Sequence, residues 1–162
     1  MSYKGKVPDH VPTVEPRPKT KFDNGHWSFP EQLGEGVGFI YIIRDKYMRK
    51  LYLGKKHFRA MRGRNKGVES NWRKYMSSSK YVKLMVANRP LSEFEFICIE
   101  SYTTKGTLSY SETWSLCQVE APTSDEWMNT LIEKVSWNVK EPISDRHKER
   151  MKLAIEWGEF ND

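Results

Sequence analysis

Basic and aromatic side chains crowd one stretch of this 162-residue chain. Arg59, Arg62, Arg64, Lys66, Arg73 and Lys74 follow the run Lys55-Lys56-His57 and are interleaved with Phe58 and Trp72. Grouped cations of this kind displace counterions from a polyanion, and each arginine offers a planar fork for phosphate oxygens. Lys56 and His57 suit either proton transfer or phosphate contact. Acidic candidates are fewer. Glu112 stands in Ser109-Tyr110-Ser111-Glu112, where the carboxylate reads either as the return half of a helix capping box or as a hard oxygen ligand for a divalent cation. Cys98 and Cys117 lie in apolar contexts without CxxC or Cys/His spacing, so they read as reduced core residues and not as a zinc or disulfide framework.

These side chains need a scaffold, and the apolar pattern supplies one. Phe39-Ile40-Tyr41-Ile42-Ile43 is a β-branched and aromatic run ending in a turn at Arg44-Asp45, and Lys50-Leu51-Tyr52-Leu53-Gly54 follows closely enough to pair with it only as an antiparallel hairpin. A third strand is predicted over residues 93 to 102. Apolar residues at odd and even positions alike imply a sheet covered on both faces. Residues 57 to 74 are expected to form short basic helices and a loop. The serines at 77 to 79 cap a helix running to Asn88, with Val82, Met85 and Val86 as its inner stripe and Pro90 beyond its end. Another helix is expected from Ser109. Thr123-x-x-Glu126 is a further capping signal ahead of Trp127, Leu131 and Ile132, and a charged helix starts at Ser144. Within that last helix His147 is expected to be exposed, with Met151, Ile155 and Trp157 turned toward the domain or a second subunit.

Both ends are read as extensions. Residues 1–36 carry Pro8, Pro12, Pro16, Pro18 and Pro30 among scattered charges, including Lys4, Lys6, Arg17, Lys19 and Lys21, and read as an extended basic arm. Trp27 and Phe29 are placed to dock its end. The folded domain is expected over 37–135, with a helical C-terminal extension over 136–162. Twenty-seven Lys and Arg against twenty-one Asp and Glu leave a net charge of +6, which favours a polyanionic partner. Mean hydropathy is −0.75, with no apolar run long enough to span a bilayer and no signal-peptide h-region, so a cytoplasmic protein with no membrane partner is expected.

The ordered set resembles the GIY-YIG endonuclease family, and more narrowly a phage-borne, homing-endonuclease-like branch of it. Ile40-Tyr41 matches the IY of the first half, with Phe39 in place of its glycine, and Tyr52-Leu53-Gly54 matches the second half. Arg62 falls eight residues beyond Gly54, where the family places a catalytic arginine on its first helix. Glu112 falls on the helix after the third strand, where the family has a single metal-binding glutamate, and Asn129 matches an asparagine commonly found near the active site. Glu69-Ser70-Asn71-Trp72-Arg73-Lys74-Tyr75, Ser78-Ser79 and Lys105-Gly106 add to the likeness, which spans roughly residues 37 to 132.

The resemblance implies an α/β fold, a small three-stranded antiparallel sheet flanked by helices, with an extended N-terminal arm and a C-terminal helix. It implies a Mg²⁺- or Mn²⁺-dependent DNA endonuclease, possible as a homodimer. Glu112 would hold the ion, Tyr41 or Tyr52 would position or deprotonate the attacking water, with Tyr41 preferred, and Arg62 would grip the phosphate. A free phenol titrates near pH 10, so cations such as Lys55 must help. His57 joins this catalytic set. Lys56, Arg59, Arg64, Lys66, Arg73, Lys74 and Asn129 would contact DNA, and Arg59 and Arg64 are substitutes for Arg62. The other readings are a catalytically inactive nucleic-acid-binding module on the same fold and an RNA-binding α/β sandwich, though the latter gives Glu112 no task.

Overall fold

The computed structural model describes residues 25–28, 36–130, 139 and 141–160. Phe29, Leu131, Ile132 and the basic residues of the arm lie outside them. Strands β1 (Gly38–Asp45), β2 (Lys50–His57) and β3 (Phe94–Tyr102) form one antiparallel sheet in the order β2-β1-β3. The continuous apolar run of β1 takes the centre, and all eight of its residues are buried. Side-chain alternation divides the core in two. Phe39, Tyr41 and Ile43 face Trp27, Phe58, Trp72 and helix α1 (Lys80–Asn88). Ile40 and Ile42 face α2 (Lys105–Gln118) and α3 (Asp145–Ile155) through Leu108, Leu116, Met151 and Ala154. This is the expected α/β architecture. No helix among the described residues is long and apolar enough to cross a membrane.

Local signals fix the helix ends. Ser79 Oγ accepts the Val82 N–H at the start of α1, whose buried stripe is Val82, Met85 and Val86. Arg89, forced out of helical geometry by Pro90, ends it in extended conformation at φ −134° and ψ 155°. Ser144 Oγ caps α3 by accepting the His147 N–H at 3.0 Å. The end of the arm is docked: Trp27 is buried and donates its indole N–H to the Trp72 carbonyl at 2.8 Å, and Ser28 bridges to Ile97 of β3.

Five expectations need correction. Helix α2 starts at Lys105 under a Thr104 cap, with the Thr107 N–H donating to Thr104 Oγ1 at 3.2 Å, so Glu112 lies two turns inside the helix and away from its N-cap. Residues 59–69 form a hairpin closed by an Arg59–Glu69 bridge, with Gly63 and Gly67 at φ +77° and +84°, and Arg62 sits on its loop and not on a helix. Only Trp72–Lys74 in that region is helical, as one 3₁₀ turn. Thr123 ends another 3₁₀ turn, after which residues 126–128 run beside β2, where Leu51 donates to the Glu126 carbonyl and accepts from Met128. His147 is buried, and Cys117 is exposed while Cys98 is buried.

Candidate active site

Strand β2 lies at the sheet edge, and its outward backbone groups must find partners. Residues 126–129 supply them as far as Leu53: the Asn129 side chain accepts the Leu53 N–H at 2.9 Å and donates to the Leu53 carbonyl at 2.7 Å. Beyond Leu53 the edge opens into a cleft of about 390 Å³. Side chains reach it from both faces of the sheet. Tyr52, Tyr75 and Ser78 belong to the α1 side, and Lys55 and Glu112 to the α2 side.

Glu112 and Ser109 stand one turn apart on α2, and both meet the Lys55 ammonium. Nζ is 3.3 Å from Glu112 Oε1 and 3.2 Å from Ser109 Oγ. Both members of the ion pair keep nearly a fifth of their side-chain surface exposed, at 19% and 18%. Across the cleft Tyr52 Oη lies 3.5 Å from Ser78 Oγ. No group of three or more His, Cys, Asp and Glu converges among the described residues. One carboxylate on an open polar cleft nonetheless fits a Mg²⁺ ion, which keeps several of its waters when bound through one or two carboxylates.

Tyr41 lies beneath this cleft and not in its lining. Its side chain is fully buried, edge-on to Tyr75 and near Tyr52, and its hydroxyl is without a hydrogen bond of ordinary geometry. Burial first, and then the neighbouring Tyr75 and Tyr52 phenols, push its pKa well above the usual phenol value.

Next to the cleft lies a basic basin of about 660 Å³, lined among others by Lys56, His57, Arg59, Arg62 and Lys105. Lys55 and Tyr75 border both spaces. Arg62 is exposed here and does not line the Glu112 cleft. Burial, helped by Lys55, Lys105 and Lys56, lowers the His57 pKa to about 4, leaving a neutral ring whose Nε2 is buried without a partner. Burial also lowers the pKa of Lys56, whose ammonium lies 4.2 Å over the Tyr75 ring.

The remaining basic residues are dispersed. Arg64, Lys66 and Lys74 are exposed and line neither space. The Arg59 guanidinium closes the hairpin onto the Gly67 carbonyl at 3.0 Å, and Arg73 pairs with Glu69 at 2.8 Å while covering Trp72. Asn129 is buried against Leu53. The sequence assigns no catalytic or DNA-binding role to Tyr75, Ser78 or Lys105, because nothing local marks a residue that becomes a neighbour of β2 only through the fold.

No curated protein and no solved structure matches this chain. The family model described as "Putative endonuclease segE, GIY-YIG domain" matches residues 22–132. That span begins ahead of the docked Trp27, runs just past Asn129 and takes in every residue lining the cleft and the basin. The chain belongs to the GIY-YIG endonuclease family.

Proposed function

We propose that the chain is a metal-dependent endonuclease that hydrolyses a phosphodiester bond of DNA in the cleft at the open edge of β2. The observation that carries this reading is the placement of Glu112. It is the one carboxylate lining that cleft among the described residues, it faces Tyr52 and Ser78, and the cleft adjoins a basin of cations across Lys55 and Tyr75.

Glu112 would hold one Mg²⁺ or Mn²⁺, which supplies Lewis-acid stabilisation of the phosphate and makes bound water easier to deprotonate. Tyr52, at the cleft wall with Ser78 as hydrogen-bond partner, positions the attacking water. The Lys55 ammonium, held by Glu112 and Ser109, offsets negative charge on that side. Tyr41 supports Tyr52 from below: its hydroxyl is buried and, with a raised pKa, keeps its proton. Arg62, with Arg59 as its neighbour, receives phosphate oxygens in the basin through bidentate contacts. Lys56, Lys105, Arg64, Lys66, Arg73 and Lys74 carry the flanking backbone. His57, neutral above its lowered pKa of about 4, acts as a hydrogen-bonding group and not as a cation. Asn129 holds the wall of the cleft.

Nicking of supercoiled plasmid under Mg²⁺ and Mn²⁺ tests this reading. Glu112→Ala and Arg62→Ala are each expected to lower cleavage by about 100-fold or more, as losing an electrostatic stabiliser does elsewhere. Glu112→Ala should still shift DNA at low salt. Purified protein that shifts DNA, never cuts with either ion and is unaffected by Glu112→Ala would instead be a binding module.

A further inference from the structure

We propose that Tyr75 touches the substrate, donating its phenolic hydrogen to a non-bridging oxygen of the phosphate at the cut site. This rests on the reading of the cleft as a phosphodiesterase site. Tyr75 and Lys55 are the two residues that border both cleft and basin. A DNA strand held by the basin cations must pass over these two side chains to bring a phosphate to Glu112. Glu112 and Ser109 take two of the three Lys55 N–H donors, and the phenol is the second donor that this boundary offers.

Backbone and ring contacts hold Tyr75 at the end of its 3₁₀ turn. Its N–H donates to the Trp72 carbonyl at 3.3 Å, and its carbonyl accepts from His26 Nε2 at 2.8 Å. The edge of Tyr41 meets its ring at a centroid distance of 6.0 Å, and the Lys56 ammonium covers one face at 4.2 Å. A cation on the ring face is attracted by the ring quadrupole and helps to fix the orientation of the ring. The hydroxyl has Ser78 and Tyr41 as neighbours and lies within the field of Tyr52 and Glu112. Burial raises the phenol's pKa, although its hydrogen bonds with Ser78 and Tyr41 act the other way, so the group at this boundary is a protonated donor.

Tyr75→Phe removes only Oη and preserves the ring, its cation contact and both backbone hydrogen bonds. On a short duplex with a single cut site, cleavage kcat/KM is expected to fall about 10- to 100-fold, the usual scale for a charge-assisted hydrogen bond. Binding measured with Ca²⁺ and the melting temperature should stay close to wild type. Sulfur placed at each non-bridging position of the cut-site phosphate separates contact from packing. One diastereomer should slow wild type much more than it slows Tyr75→Phe, whose contact is already gone. Wild-type rate in Tyr75→Phe, or a slower rate with both sulfur effects unchanged, overturns the proposal. Wild type that never cuts defeats the nuclease reading itself, and this inference with it.

Discussion

Gly54 and Tyr41 are paired across the β1–β2 ladder, and each constrains the other. A Cβ at position 54 would lie 2.3 Å from Tyr41 Oη and 2.5 Å from its Cζ, closer than such atoms pack. Gly54→Ala is therefore expected to cost about 1–3 kcal/mol in urea unfolding, the usual penalty of overpacking. Tyr41→Phe removes a buried hydroxyl that lacks a well-formed hydrogen bond, so alone it should be nearly neutral or stabilising. Added to Gly54→Ala it should recover only part of the loss, because Cζ still stands in the way. Gly54→Ala melting like wild type would refute the contact. The same Tyr41→Phe should keep most cleavage activity, whereas Tyr52→Phe should lose it. Both tyrosines looked alike in the sequence, each in a strand-forming run. Their difference is one of strand order: Tyr41 lies on the central strand, roofed on both faces, and Tyr52 on the edge strand beside an open cleft. No local pattern encodes that order. The Lys55–Glu112 pair was legible only as two residues of suitable type, since the contact needs α2 packed across β2.

At the scale of elements, the hairpin, the third strand, α1 and the cap of α3 follow from period, caps and Pro90, because each is decided within a few residues. The start of α2 was a contest between two capping signals. Ser109-x-x-Glu112 fits a capping box, but Thr104 wins because the earlier start buries Thr107 and Leu108 against the sheet. Thr123-x-x-Glu126 lost for a different reason. The unpaired edge of β2 recruits residues 126–129, an opportunity that exists only once the sheet has formed. Asn129 is the end of this graft, satisfying both backbone groups of Leu53. Asn129→Ala leaves those groups without protein partners and should cost about 1–3 kcal/mol. Asn129→Asp should be worse, since it keeps the acceptor but sets a carboxylate against the Leu53 carbonyl. DNA affinity should retain its salt dependence in Asn129→Ala, because no phosphate contact is lost. A lower salt slope with an unchanged melting curve would make Asn129 a DNA contact after all.

For the molecule as a whole, the sheet is sealed on its α2 side by α3, and His147 ties the three parts together. Its Nε2 lies 2.7 Å from Ser115 Oγ on α2, and its Nδ1 lies 2.9 Å from Tyr102 Oη on β3. Ser115 donates its hydrogen to the Ser111 carbonyl, so its oxygen accepts from His147 Nε2–H, and Nδ1 accepts from Tyr102. Charged neighbours at 145, 146, 148 and 149 made this histidine look exposed. The helical spacing of 147, 151 and 154 is the signal that places it on the inner face with Met151 and Ala154. Both ring nitrogens are used by the neutral form, and burial lowers the pKa to about 4 from the ordinary 6.5. Between those values the unfolded chain binds a proton that the folded chain refuses, so stability falls as pH drops from about 6.5 and levels off below about 4. The full effect is roughly 3 kcal/mol, with a slope near 1.4 kcal/mol per pH unit within the window. His57 titrates in the same direction, but its greater exposure makes its share smaller. His147→Asn is expected to be less stable at pH 7 yet distinctly flatter between pH 6.5 and 4 in urea titrations. Because carboxylates contribute equally to both proteins, the difference between the two curves isolates this one proton. Parallel curves would mean that His147 takes up its proton without leaving the fold.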